Sequence, residues 1–118
     1  MKKLDAVGAL GALAQETRLD IFRLLVQAGA EGVPAGRIGD RLGLPSPTLS
    51  FHLNALRHAG LIVPRREGRS ILYAADYDTM NDLLGFLTEN CCRGEAACSV
   101  PACDPASATM TTTRRARS

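Results

Sequence analysis

The fold turns on Pro34-Ala-Gly-Arg-Ile-Gly-Asp-Arg-Leu-Gly43-Leu-Pro-Ser46-Pro-Thr-Leu-Ser-Phe-His-Leu-Asn-Ala-Leu-Arg-His-Ala-Gly60, which reads as two short helices joined by a tight turn. Pro34 suits the first position of a helix, Ile38 and Leu42 fall four apart on one face, and Gly43 can take the left-handed conformation that ends it. Leu44 then staples the turn. Ser46 is a good N-cap, Pro47 suits the position after it, and Leu49, Leu53 and Leu56 repeat at helical spacing until Gly60 closes the helix. Burying that leucine stripe leaves Pro47, Thr48, Ser50, Phe51, Asn54 and His58 for solvent, with His52 on the boundary. A short polar inventory with one exposed aromatic suits the reading of base edges in DNA, so the second helix is expected to be a recognition helix.

Upstream, Leu4, Val7, Leu10 and Leu13 recur every three residues, with Ala6, Ala9 and Ala14 beside them, predicting an amphipathic first helix packed into the core. A second helix is expected from Glu16 to Ala28, burying Leu19, Phe22 and Val26 and stopping at Gly29. Thr17 and Arg18 read as ordinary surface residues, and Gly29 to Pro34 as a loop. Downstream, Leu61 to Val63 and Ser70 to Ala74 are short apolar strands joined by a charged turn carrying Gly68, which makes a hairpin. After a recognition helix such a hairpin is a wing, and Arg65, Arg66 and Arg69 are placed to reach phosphate or the minor groove. A last helix is expected from Tyr77 to Asn90, capped by Asp76, with Met80, Leu83, Leu84 and Leu87 at core spacing and Phe86 beside them. It carries more apolar surface than the wing can cover, which predicts pairing with the first helix across a two-fold axis.

At 118 residues there is room for one small domain, and with 4% aromatics and no Trp its core must be built from aliphatic side chains. The net charge of +2 conceals a division. Six arginines face only Asp40 and Glu67 between residues 37 and 69, whereas five acids face Arg93 alone between residues 76 and 95. A basic middle beside an acidic last helix points to a local polyanion-binding face. Asp5 and the glycines after it break any secretory apolar run, and no stretch approaches the roughly 20 apolar residues of a membrane helix. The expectation is a cytoplasmic protein.

All four cysteines, Cys91, Cys92, Cys98 and Cys103, fall within one short segment after the last helix. In a reducing compartment this favours a metal or metalloid site, or a redox switch, over a disulfide framework. Adjacent cysteines in a regular helix point about 100° apart, so aiming both at one atom requires an unwound end, which Gly94 permits. Three thiolates suit pyramidal As(III) or Sb(III), and four suit tetrahedral Zn or Cd. Catalysis by these thiols is not expected, because no Cys-x-x-Cys motif and no His base lies near them.

The run from Ser46 to Ile62 resembles the recognition helix of the ArsR/SmtB winged-helix regulators. Leu13 to Leu25 is similar to that family's opening helices, and Arg65 to Tyr73 to its wing. The resemblance implies a mainly α winged helix-turn-helix with four helices, a hairpin and a fifth helix, dimerising through the first and last. On it, DNA contacts fall to Ser46, Pro47, Thr48, Ser50, Phe51, His52, Arg65, Arg66 and Arg69; His52 reads equally as a satisfied core-edge histidine. Phe51 replaces a usual polar side chain, losing donors but able to pack on a thymine methyl.

The family's thiol site on the first helix of the helix-turn-helix has no Cys here, and its zinc-type site on the last helix has no His. The chain resembles instead arsenic-responsive members with a Cys-Cys pair and a later Cys beyond the last helix. That implies Cys91, Cys92 and Cys98 as ligands, with Cys103 a spare, a fourth ligand or a transfer thiol. The expected organisation is a DNA-binding and dimerisation domain over residues 1–90, a metalloid-binding segment over 91–103 and a disordered tail over 104–118. The expected function is a homodimeric repressor released from operator DNA by As(III), with redox or soft-ion (Cd, Pb, Zn) sensing by the same thiols as the alternative.

Overall fold

The structure is a computed structural model that describes residues 1–91. The expectations for Cys92, Cys98, Cys103, Gly94 and the tail lie outside those residues. The elements run α1 (Lys3–Leu13), α2 (Glu16–Ala28), β1 (Val33–Pro34), α3 (Ala35–Leu42), α4 (Ser46–His58), β2 (Ile62–Glu67), β3 (Ser70–Ala75) and α5 (Tyr77–Thr88). This is the winged helix-turn-helix arrangement, with one strand more than expected.

Ile21, Leu25, Ile38, Leu56, Leu61 and Ile62 are completely enclosed and join α2, α3, α4 and the start of β2 into one core. Each such burial contributes about 1.5–3 kcal/mol. The buried face of α2 is Ile21, Phe22 and Leu25, not the expected Leu19, Phe22 and Val26. Leu19 is exposed and Val26 half-buried, because the crossing of α2 with α4 selects a face rotated by part of a turn.

α1 is turned the opposite way to its leucine period. Ala6, Ala9 and Ala12 are buried, whereas Leu4 and Val7 are 80% and 58% exposed. Apolar residues surround this helix, so periodicity alone does not choose its inner face. The small side chains pack inward and the longer ones are left outside.

The loop before the helix-turn-helix forms β1, which pairs antiparallel with β3 in the register Val33↔Tyr73 and Pro34↔Leu72. Two residues ending in proline carry no strand pattern, yet Pro34 is tolerated because the order β1-β3-β2 puts β1 at an edge. Pro34 is consequently the residue before α3 rather than its first. Pro45 likewise precedes α4, so Ser46 opens that helix without a capping hydrogen bond. Gly43 adopts φ 68 and ψ 35, and Leu44 N–H then reaches Gly39 O at 2.9 Å, which makes the tight turn.

β2 runs past the expected Val63 to Glu67, paired with β3 from Ile62↔Ala75 to Glu67↔Ser70. Pro64 fits because β2 is the other edge. Asp76 caps α5 as expected, accepting from Thr79 N–H at 3.1 Å. Tyr77 Oη donates to Val26 O at 2.9 Å, tying the start of α5 to the end of α2. α5 ends at Thr88, two residues early, and Asn90 takes φ 59.

Gly39 is buried where α3 crosses the turn, and a Cβ there would stand 3.1 Å from Leu44 O and 3.4 Å from Leu49 Cδ2. Gly39→Val should therefore destabilise the domain by about 1–3 kcal/mol, read as a lower urea midpoint at unchanged slope.

Candidate nucleic-acid interface

α4 buries Leu49, Leu53 and Leu56, and that choice of face decides what it shows. Ser46, Pro47, Thr48, Ser50, Phe51 and Asn54 are exposed together along its first two turns. Phe51, a large ring at 64% exposure, stands out from this hydroxyl-rich strip. Hydroxyls can donate to or accept from base edges and phosphates, and an aromatic ring can pack on a thymine methyl. His58 is also exposed, with Nδ1 donating back to Asn54 O at 2.9 Å.

His52 does not belong to this surface. It is buried, and its Nδ1 accepts a hydrogen bond from Arg18 Nε at 3.2 Å. That geometry requires the neutral ring. Burial first, and the Arg18 charge second, hold its pKa below the ordinary 6.5. Of the two roles the sequence left open, its burial and its bond to Arg18 are those of the core-edge histidine.

Arg18 is the residue that sequence reading missed. It is half-buried, with its backbone N–H held by Gln15 Oε1 at 2.8 Å and its guanidinium 5.8 Å from the Phe51 centroid. The bond to His52 spans 34 residues of chain, so nothing local signals it. The usable hint is the boundary position of His52, since a buried imidazole needs a partner.

In the wing, Arg65, Arg66 and Arg69 are all exposed, but they are not equivalent. Arg65 Nη2 donates to Glu31 O at 2.6 Å and lies 4.0 Å from a Glu67 carboxylate oxygen. Part of its hydrogen-bonding capacity thus braces the wing against the loop before β1. Arg66 and Arg69 form no ion pair among the described residues. Beyond α5, Cys91 is half-buried. No group of three His, Cys, Asp or Glu side chains among the described residues is placed to hold a metal ion, and no helix there is long and apolar enough to cross a membrane.

A recognition helix with a polar outer strip, seated on a three-helix core and followed by an arginine-bearing hairpin, defines a winged-helix DNA-binding protein. Comparison with known proteins agrees. Residues 13–65 match the family model described as a helix-turn-helix domain. The uncharacterized HTH-type transcriptional regulator YceK of Bacillus subtilis is 36% identical over 77 residues, spanning 64% of this chain and 76% of that one. Among solved structures, an ArsR-like transcriptional regulator from Rhodococcus sp. RHA1 superposes with a TM-score of 0.65 at 30% identity, covering 71% of this chain and 76% of that one. The homodimeric winged helix-turn-helix domain of Mb0332 from Mycobacterium bovis, a possible ArsR-family regulator, gives 0.59 at 32%, covering 74% and 82%. The chain belongs to the ArsR family of winged-helix transcriptional regulators, and it is a DNA-binding regulator rather than an enzyme.

Two measurements follow from this geometry. Arg66→Ala and Arg69→Ala should each weaken duplex binding alike on every sequence and lower the log–log salt slope by about one. The second concerns pH. The unfolded chain binds a proton at His52 more readily than the folded one, so this contribution to stability is complete above about 6.5 and is lost as pH falls through the lowered native value. Between pH 7.5 and 5, wild type should lose more stability in urea titrations than His52→Gln, which keeps an acceptor but does not titrate.

Proposed function

We propose that this protein is a homodimeric repressor that holds operator DNA in its metalloid-free form and releases it when Cys91, Cys92 and Cys98 capture As(III). The observation that carries the reading is the placement of the first thiol. Cys91 lies three residues past the end of α5 at Thr88, after Glu89 has left the helical backbone and Asn90 has taken a left-handed one. The direction of the Cys91 side chain is therefore not set by the regular part of α5, in which neighbouring side chains point about 100° apart. The donor set fits the ion: thiolate is soft, and three thiolates match a trivalent pyramidal centre. Sb(III) shares that chemistry.

The dimer is the second half of the proposal. Leu4, Val7 and Leu10 on α1 and Leu87 on α5 are exposed, more apolar surface than a free monomer keeps without use. An apolar groove of about 320 Å³ lies nearby between α2 and α5, lined by Leu19, Phe22, Val26, Met80, Leu83 and Leu84. Pairing α1 and α5 across a two-fold axis covers the exposed leucines and sets two copies of α4 about 34–36 Å apart, one DNA turn. Ligand capture at the end of α5 then acts on the helix that sets this spacing. Only a difference in ligand affinity between the DNA-bound and released arrangements can drive release.

The test is fluorescence anisotropy of a labelled operator duplex titrated with arsenite. Wild type should lose affinity about 5- to 150-fold, the ordinary range of such coupling. Cys91→Ser and Cys92→Ser should bind the duplex as wild type does and fail to release it. Normal release by these variants would show that the site is elsewhere. Release by Cd(II), Pb(II) or Zn(II) but not arsenite, or by an oxidant with loss of two hydrogens, would instead assign the thiols to soft-ion or redox sensing.

A further inference from the structure

We propose that Arg18 is a positioning residue for DNA recognition, holding the Phe51 ring in one outward pose from which it packs on the C5-methyl of a thymine in the major groove. The proposal rests on the DNA-reading role of α4. It adds a residue from outside the helix-turn-helix and a base feature for that residue to serve.

An exposed phenylalanine ring on a helix ordinarily exchanges rotamers, and freezing it on binding costs affinity. Here the ring is restrained before any DNA arrives. The Arg18 guanidinium carbon stands 5.8 Å from the Phe51 centroid, within the range in which a cation is drawn to an aromatic face. The His52 ring lies 5.5 Å from the same centroid at 66°, an edge-to-face contact. Arg18 is itself anchored at both ends, with its N–H on Gln15 Oε1 at 2.8 Å and its Nε on His52 Nδ1 at 3.2 Å.

His52 is buried on α4, and α2 is clamped into the core by Ile21, Phe22 and Leu25. The pose of Phe51 is thus set by the crossing of two helices rather than by local preference. Only a planar guanidinium can donate through Nε and also lie near the ring, so lysine is no substitute. The ring's exposure shows that these contacts leave much of it open for a base.

The competing role for Arg18 is direct contact with a phosphate, and the two roles leave different signatures. A phosphate contact contributes about one to the log–log salt slope and nothing to base preference. A positioning residue contributes to base preference through Phe51 alone. The probe is a duplex selected from a randomised pool by wild-type protein, with each thymine replaced singly by deoxyuridine, which lacks only the C5-methyl.

Wild type should lose affinity about 4-fold at one thymine in each half-site, the effect expected of withdrawing one buried methyl group. Phe51→Ala should abolish that discrimination. Arg18→Gln should reduce it at an unchanged salt slope and have no further effect in the Phe51→Ala background. Retained discrimination with a slope lowered by about one would make Arg18 a phosphate ligand and overturn the proposal. So would additive effects of the two substitutions, or a wild type indifferent to every thymine replacement.

Thermal melting establishes that Arg18→Gln is folded. Should it not be, wild type alone decides: nuclear Overhauser contacts between the Arg18 side chain and the Phe51 ring, together with sensitivity to the same deoxyuridine, support the proposal, and absence of either overturns it. A wild type that enriches no duplex at all would sink the DNA-reading role of α4 itself, a failure plainly distinct from the others.

Discussion

The burial of one face of α4 is the constraint on which the molecule depends. Leu49, Leu53 and Leu56 enter the core beside Ile21, Leu25 and Ile38, and a helix that buries a leucine stripe has no freedom in what it shows on the other side. The outward strip from Ser46 to Asn54 is therefore a consequence of packing. A rotation of α4 by one residue would bury a hydroxyl and expose a leucine, at a cost of a few kcal/mol on both counts. DNA-reading residues need this kind of rigid seat, because hydrogen bonds to base edges discriminate only when donor and acceptor are held in register.

The same seat organises its neighbours. Gly39 lets α3 and the turn close against Leu49, so the two helices of the motif meet at a point where even a Cβ would be tight. Arg18 and His52 pin α2 to α4, and Tyr77 pins α5 back to α2 through the Val26 carbonyl. Asp76 N–H reaches Leu61 O at 2.8 Å, joining the end of the wing to its beginning. A movement at α5 therefore has a connected route to the reading helix through packed groups. Whether such a route carries coupling is a question of energy, not of adjacency.

α1 illustrates how composition can mislead about direction. Three alanines inside and three long aliphatics outside reverse the usual rule for a monomer. The second subunit proposed above would cover those long aliphatic side chains and restore the rule. Asp78 and Asp82 of α5 follow shortly after Arg65, Arg66 and Arg69 of the wing, so positive charge is concentrated on the hairpin and negative charge on the helix beyond it.

Much of the architecture was legible because it rests on local physics. Apolar periodicity placed α2 and the start of α5 to the residue, Gly43 marked the turn through its left-handed backbone, and Asp76 announced the cap that it forms. Helical spacing likewise named the buried leucines of α4 and hence its exposed strip. What stayed hidden depends on groups far apart in the chain. Strand β1 exists only because β3 offers it an edge; α1 chose alanine as its inner face because its neighbours approach closely; Arg65 turned partly to the Glu31 carbonyl. The pairing of His52 with Arg18 is a contact across 34 residues of chain. Sequence by itself determined which segments could be helix, turn and reader, since those follow from steric and hydrophobic preferences of neighbouring residues. Tertiary structure alone decided which side of each helix faces inward and which polar groups satisfy one another, since both depend on what packs opposite.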